Sequence, residues 1–179
     1  MAVDVMNLWY TGRYQFGDGT RVSYARLREL LVRAFPQAMS LTLLAYTVSA
    51  TTRRTSSGQI KSTGPRNQKF IDSLQRLGFR VKDRTMVSEK NAAKPYGTDW
   101  DVGITLDAMK EINNYDVFVL VSGDGDYALL LNELRQQGKR VEVITFEGST
   151  SKLLHQEADK IIYLTENEVF NTGSHYGKD

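Results

Sequence analysis

The run Val117–Val121 (VFVLV) is apolar at every position, with no polar residue alternating through it. A strand with one face in water alternates apolar and polar side chains. A continuous apolar run of this length needs cover on both faces, which points to a parallel strand held between two layers of helices. Ala2–Met6, apolar around one Asp, and Leu41–Val48 are further apolar runs of strand length, Arg140–Phe146 and Lys160–Leu164 read as strands too, and Phe79–Val87 is a more polar strand that belongs nearer a sheet edge. Helical periodicity fills the gaps. Leu27, Leu30, Leu31 and Ala34 recur at i, i+3, i+4 and i+7 behind Ser23 as a cap, and Phe70, Ile71, Leu74 and Leu77 share a face in Asn67–Phe79. Asp101–Asn114 reads as a helix with Val102, Leu106 and Met109 inward. Asp126–Gly138 is a helix closed by a C-terminal glycine, and Ser151–Ala158 a shorter one. Strand and helix alternate at nearly every step, which predicts an α/β chain: a three-layer α/β/α sandwich with a mainly parallel central sheet.

With 179 residues the chain suits one domain, expected over residues 1–165. Residues 166–179 form a C-terminal segment whose end, NTGSHYGKD, lacks any apolar pattern and is expected to be a disordered polar tail. No run of about 18 apolar residues is present, and MAVDVMNLWY has no basic region before a long apolar stretch. No membrane association and a cytoplasmic location are therefore expected. Cysteine is absent, which removes disulfides, thiolate metal sites and cysteine nucleophiles together. His155 and His175 are the only histidines, so a metal here would depend on oxygen ligands.

The acids that could serve are distributed by a rule. In open parallel sheets, chemistry collects at the carboxyl ends of strands, where the strand order reverses. Asp4 lies close to the end of the first strand, Asp124 and Asp126 follow Val117–Val121 in SGDGD, and Asp101 opens the helix before that strand. If the two strands are neighbours, the four carboxylates converge. Such a cluster repels itself unless one group is protonated or a hard divalent ion such as Mg²⁺ or Mn²⁺ binds. Gly123 and Gly125 would let the backbone turn tightly between the acids. Asp126 and Asp101 could equally be helix caps, Asp107 reads as a solvated helix residue, and His155 as structural. Thr51–Phe70 carries Arg53, Arg54, Lys61, Arg66 and Lys69 with no acid, and reads as a basic loop: either a patch or a solvated segment.

VDVMNLWY with its D-x-x-N, WDVGITLDAM, and VLVSGDGDYALLLNELRQQGKRVEVI together resemble an NYN domain of the LabA-like branch, within the PIN-like nuclease superfamily. The resemblance runs from Val3 to about Leu164. It implies a PIN-like fold and a Mg²⁺- or Mn²⁺-dependent ribonuclease that hydrolyses RNA phosphodiester bonds with a metal-activated water. Matched position by position, it implies that Asp4, Asp101, Asp124 and Asp126 are the catalytic, metal-holding acids, with Asn7, Ser122 and Asp99 supporting. The family often has Lys-Gly-x-Asp where this chain has Thr98-Asp99-Trp100-Asp101. Asp101 is preferred over Asp99 because it keeps Val102 and Leu106 inward, and Lys90 or Lys94 could replace the missing cation. Arg53, Arg54, Lys61 and Arg66 would track the backbone of single-stranded RNA. Trp9, Tyr10 and Tyr14 would either stack on its bases or pack the helix. A homodimer could pair through the polar edge strand. A non-catalytic RNA-binding or regulatory module is the alternative reading. A Toprim-like phosphotransfer domain also places D-x-D after a strand, but it calls for a Glu where Asp4 stands.

Overall fold

The most apolar strand, Val117–Val121, sends neighbouring side chains to opposite faces of the central sheet, and both faces are dry. Phe118 and Leu120 enter one apolar cluster, Val119 and Val121 the other. This is why the run carries no polar alternation. The structure, a computed structural model, describes residues 1–54, 60–62, 68–88 and 99–171; for 49–54, 60–62, 85–88 and 170–171 it describes the backbone alone. Arg66, Lys90, Lys94 and most of the C-terminal tail lie outside the described residues.

In chain order the elements are β1 (Ala2–Asp4), α1 (Val5–Phe16), β2 (Thr20–Val22), α2 (Tyr24–Ala34), β3 (Leu44–Arg54), β4 (Ile60–Ser62), α3 (Gln68–Arg76) and β5 (Arg80–Ser88). Then follow α4 (Asp101–Lys110), β6 (Val117–Val121), α5 (Ala128–Gln136), β7 (Arg140–Phe146), α6 (Lys152–Glu157), β8 (Lys160–Leu164) and β9 (Val169–Asn171). β5, β3, β1, β6, β7 and β8 lie side by side, all parallel. Chain order therefore runs outward from β1 to one edge, then returns and runs outward from β6 to the other. The reversal falls between β1 and β6, whose pairing sets Ala2 against Leu120 and Val3 against Val121. The cluster on one face joins Val5 and Leu8 of α1 with Leu27 and Leu31 of α2 and Leu74 of α3. On the other face lie Ile104 and Ala108 of α4, Leu130, Leu131 and Leu134 of α5, and Leu154 of α6.

The structure differs from the sequence expectation in four places. The first strand stops at Asp4, and α1 begins at the next residue, capped by the Asp4 carboxylate, which accepts from the Asn7 N–H at 3.0 Å. The start of the basic stretch is not a loop: β3 continues to Arg54, and β4 pairs antiparallel with its end, setting Arg53 against Lys61. α4 is rotated from the register expected. Ile104 and Ala108 are its buried residues, whereas Val102 and Leu106 are 71% and 51% exposed. β2 and β9, neither legible in advance, form a small antiparallel pair that sets Thr20 against Asn171 and Val22 against Val169. The more polar β5 does occupy an edge position, paired along nine residues with β3.

The leucines of ALLLNEL are indistinguishable as letters, yet Leu131 is fully buried and Leu129 is 85% exposed. Leu131→Ala is expected to cost about 2–5 kcal/mol, and Leu129→Ala no more than about 0.5 kcal/mol, in urea denaturation. Equal losses would contradict this packing.

Candidate functional site

The acids meet at the reversal between β1 and β6. One carboxylate oxygen from each of Asp101, Asp124 and Asp126 lies within 4.8 Å of the others. Neither Asp101 nor Asp126 caps its helix. The residue before α4 is Trp100 and that before α5 is Tyr127, and neither makes a side-chain cap. Asp124 instead accepts from the Asp126 N–H at 3.1 Å, folding SGDGD into a single tight turn that turns both carboxylates the same way.

Two polar side chains hold this turn from below. Asn7 Oδ1 accepts from the Gly123 N–H at 3.0 Å, tying the first turn of α1 to the end of β6. The buried Ser122 hydroxyl accepts from the Asp124 N–H at 3.2 Å. Gly123 is needed here for space rather than for a left-handed backbone, since its φ is not positive. A Cβ at this position would sit 2.5 Å from the Ser149 carbonyl oxygen and 2.8 Å from Thr145 Oγ1. Gly125 is likewise closed in by Ser151 Oγ at 2.5 Å. The loop after β7 is thus pressed against the acidic turn, with the Ser151 N–H donating to the Gly123 carbonyl at 3.0 Å.

Asp4 occupies a different position from the other three. It is 6% exposed, one oxygen accepts from the Asn7 N–H, and the other from the Tyr127 hydroxyl at 3.2 Å. Burial pushes its pKa up to about 6; Asn7 and Tyr127 oppose the rise, and the charges of Asp101 and Asp124 add to it. Asp101 is also raised, first by burial and then by Asp124, Asp99 and Asp126, against a lowering hydrogen bond with Tyr127. Tyr127 therefore stands between two carboxylates with one proton to donate. Its own ionisation is pushed far above the ordinary range by burial and by those two charges. Two unit charges about 4 Å apart repel by about 4 kcal/mol at an effective dielectric of 20. A hard divalent cation suits a donor set made of carboxylate oxygens alone, and would relieve that repulsion. The donor set fits Mg²⁺ or Mn²⁺.

Asp99 is turned away from this cluster. Its side chain is 71% exposed and lies 3.6 Å from Arg84, whose guanidinium covers the Trp100 ring at 4.6 Å. Asp101 faces the cluster because it shares the i, i+3, i+7 face of Ile104 and Ala108. The preference for Asp101 thus has a different reason from the register expected. Asp107 is not a free solvated acid: it accepts from Tyr46 at 2.8 Å and Lys82 at 2.6 Å. His155 is exposed rather than structural. Arg53, Arg54 and Lys61 lie on the β3–β4 pair, described there in backbone alone. Trp9, Tyr10 and Tyr14 are 40%, 60% and 85% exposed on α1. Sequence reasoning missed Tyr127, whose only signal was a hydroxyl in an otherwise apolar row, and Thr145, which carried none. Thr145 Oγ1 is buried against Gly123 without a hydrogen-bond partner.

A family model described as NYN domain matches residues 1–165. The Low amplitude and bright protein LabA of Synechococcus elongatus is 28% identical over 111 residues, covering 59% of this chain and 60% of that protein. The chain thus matches about three fifths of that relative's length. A crystal structure of a protein of unknown function from Vibrio parahaemolyticus is similar throughout, with a TM-score of 0.73 at 26% identity, over 94% of this chain and 93% of the other.

In EDTA, the raised Asp4 pKa makes the folded state hold a proton that the unfolded chain releases from about pH 3.8 upward. The stability tied to that proton is present below this pH and lost as pH rises to about 6, a loss of about 3 kcal/mol at most. Asp4→Asn is expected to gain on the wild type across that window in urea midpoints, and a constant difference would refute the assignment. At pH 7, millimolar Mn²⁺ is expected to raise the melting temperature of the wild type but not of Asp124→Ala. An equal shift in both would place the ion elsewhere.

Proposed function

Because the chain belongs to the NYN domain family, in its LabA-like branch, and so carries a PIN-like domain of ribonuclease type, we propose that it is a divalent-metal-dependent ribonuclease. The observation that carries this reading is the convergence of Asp101, Asp124 and Asp126 at the point where the strand order reverses. These three would hold Mg²⁺ or Mn²⁺ on their open oxygens. A bound ion would supply an activated water and positive charge for in-line displacement at phosphorus.

The remaining roles belong to the chain. Asn7 and Ser122, through the N–H groups of Gly123 and Asp124, keep the turn from shifting as an anionic strand approaches. Asp4 lies behind the three open acids, its oxygens oriented by the Asn7 N–H and the Tyr127 hydroxyl. Arg53, Arg54, Lys61 and Arg66 would neutralise phosphates along the strand without reading its sequence, giving a salt-dependent affinity. The products would carry 5′-phosphate and 3′-hydroxyl ends.

The test is incubation with end-labelled single-stranded RNA in Mn²⁺, in Mg²⁺ and in EDTA. Cleavage is expected with either ion and not in EDTA, and Asp124→Ala should lower it by about a hundredfold or more while still retaining RNA. Cleavage that persists in EDTA, or that Asp124→Ala leaves intact, would rule out this site as the nuclease centre. Salt-sensitive RNA binding by both proteins with no cleavage by either would identify a binding module instead.

A further inference from the structure

The outer face of α1 carries features that the acidic cluster does not use. Val5, Leu8 and Gly12 turn inward, which leaves Trp9, Tyr10, Arg13 and Tyr14 to solvent. Trp9 and Arg13, and likewise Tyr10 and Tyr14, are four residues apart, so each pair stacks along the helix surface. The Arg13 guanidinium lies over the Trp9 indole, 4.6 Å from its centroid, and Trp9 meets Tyr10 edge to face at 4.7 Å. Asp18 holds Arg13 in place by ion pairing from beyond the end of the helix. Together Trp9, Tyr10, Arg13, Tyr14 and Asp18 line an open cleft.

From these features we infer that the outer face of α1 is a stacking platform for unpaired bases of the strand presented to the acidic cluster. This rests on the reading of the site as one that takes RNA. Two observations select a nucleic-acid strand as the occupant. First, among the described residues the cleft is lined by planar rings, one guanidinium and one carboxylate, with no aliphatic side chain. Planar π surfaces and arginine hold bases of any identity. A protein partner's anchor is usually packed into a well-filled pocket rather than laid across an open face.

Second, the platform is continuous with the site. Asp4 caps α1, and Asn7 reaches the Gly123 N–H from the same i, i+3, i+7 row that continues through Tyr10 to Tyr14. At about 1.5 Å per residue, Tyr10 lies about 9 Å and Tyr14 about 15 Å along the axis from Asp4. A strand with its phosphate at the acids would reach the aromatics within a few nucleotides. The platform therefore sets a minimum substrate length and adds affinity that needs no metal.

The test is fluorescence titration with oligouridylate of about twelve nucleotides, in EDTA and in an Asp124→Ala background, so that nothing is cleaved. Oligonucleotide is expected to quench the Trp9 emission, and a Trp9→Phe control identifies which part of the signal is Trp9. Trp9→Ala and Tyr10→Ala are each expected to weaken binding about tenfold at constant salt, while Trp9→Phe, which keeps a stacking ring, loses less. Circular dichroism of each variant separates lost stacking from lost fold. Affinity unchanged in correctly folded Trp9→Ala and Tyr10→Ala overturns the platform, even if the wild type cleaves RNA. Trp9-dependent binding without cleavage by the wild type sustains the platform and discards the nuclease. Self-association abolished by Trp9→Ala, with oligonucleotide binding untouched, would make this face a protein contact and also overturn the inference.

Discussion

The parallel pairing of β1 with β6 is the constraint from which the other features of the site follow. It sets Val3 against Val121, so the chain leaves both strands at the same end of the sheet, one residue before Asp4 and one before Ser122. Hydrogen bonding across this pair fixes the height of the two exits. Asn7 then joins them laterally through the Gly123 N–H. Without that neighbour relation the acids at the two strand ends would lie on separate loops. With it, the helices that follow each strand start from a common floor, and α4, tied to β3 by the Trp100–Thr47 and Tyr46–Asp107 hydrogen bonds, adds Asp101.

Close approach of the loops does the rest, and it acts through what is missing. The turn after β6 fits under the loop after β7 because Gly123 has no side chain, and a single methyl group there would strike the Ser149 carbonyl. The site is also strained electrostatically. Burial and mutual repulsion raise Asp4 and Asp101 together, and among the described residues they are held by an N–H from Asn7 and a hydroxyl from Tyr127. The described cations near this end are engaged elsewhere: Lys82 with Asp107, Arg84 with Trp100 and Asp99. An acidic centre with no counter-charge among the described residues costs stability without a cation and would gain it on binding one.

The two helical layers contribute differently. α4, α5 and α6 carry or brace the acids from one face of the sheet, while α1, capped by Asp4, packs on the other and carries exposed aromatics on its outer surface. One chain end therefore serves two purposes. The N-terminal turn of α1 orders the acidic loop, and the outer surface of the same helix offers planar groups to solvent.

The sequence by itself determined the layered α/β architecture, because a continuous apolar run can be satisfied only with cover on both faces. It also determined that any metal held here would depend on oxygen ligands, since cysteine is absent and the two histidines are far apart in the chain. It marked Asp4, Asp124 and Asp126, because a charge at the end of an apolar strand must meet solvent, a hydrogen-bond donor or a cation as the chain leaves the core. It did not yield α1, whose single apolar row is interrupted by exposed aromatics, nor the true face of α4, where Val102 and Leu106 imitate core residues. Tertiary structure alone decided that Asp101 rather than Asp99 faces the cluster, that Asp4 is buried while the other three are more exposed, and that Tyr127 lies between carboxylates. The physical reason is common to all three. Periodicity records how a segment divides water from core, but which polar groups meet depends on contacts between residues such as Asp4 and Tyr127, brought together only when β1 pairs with β6.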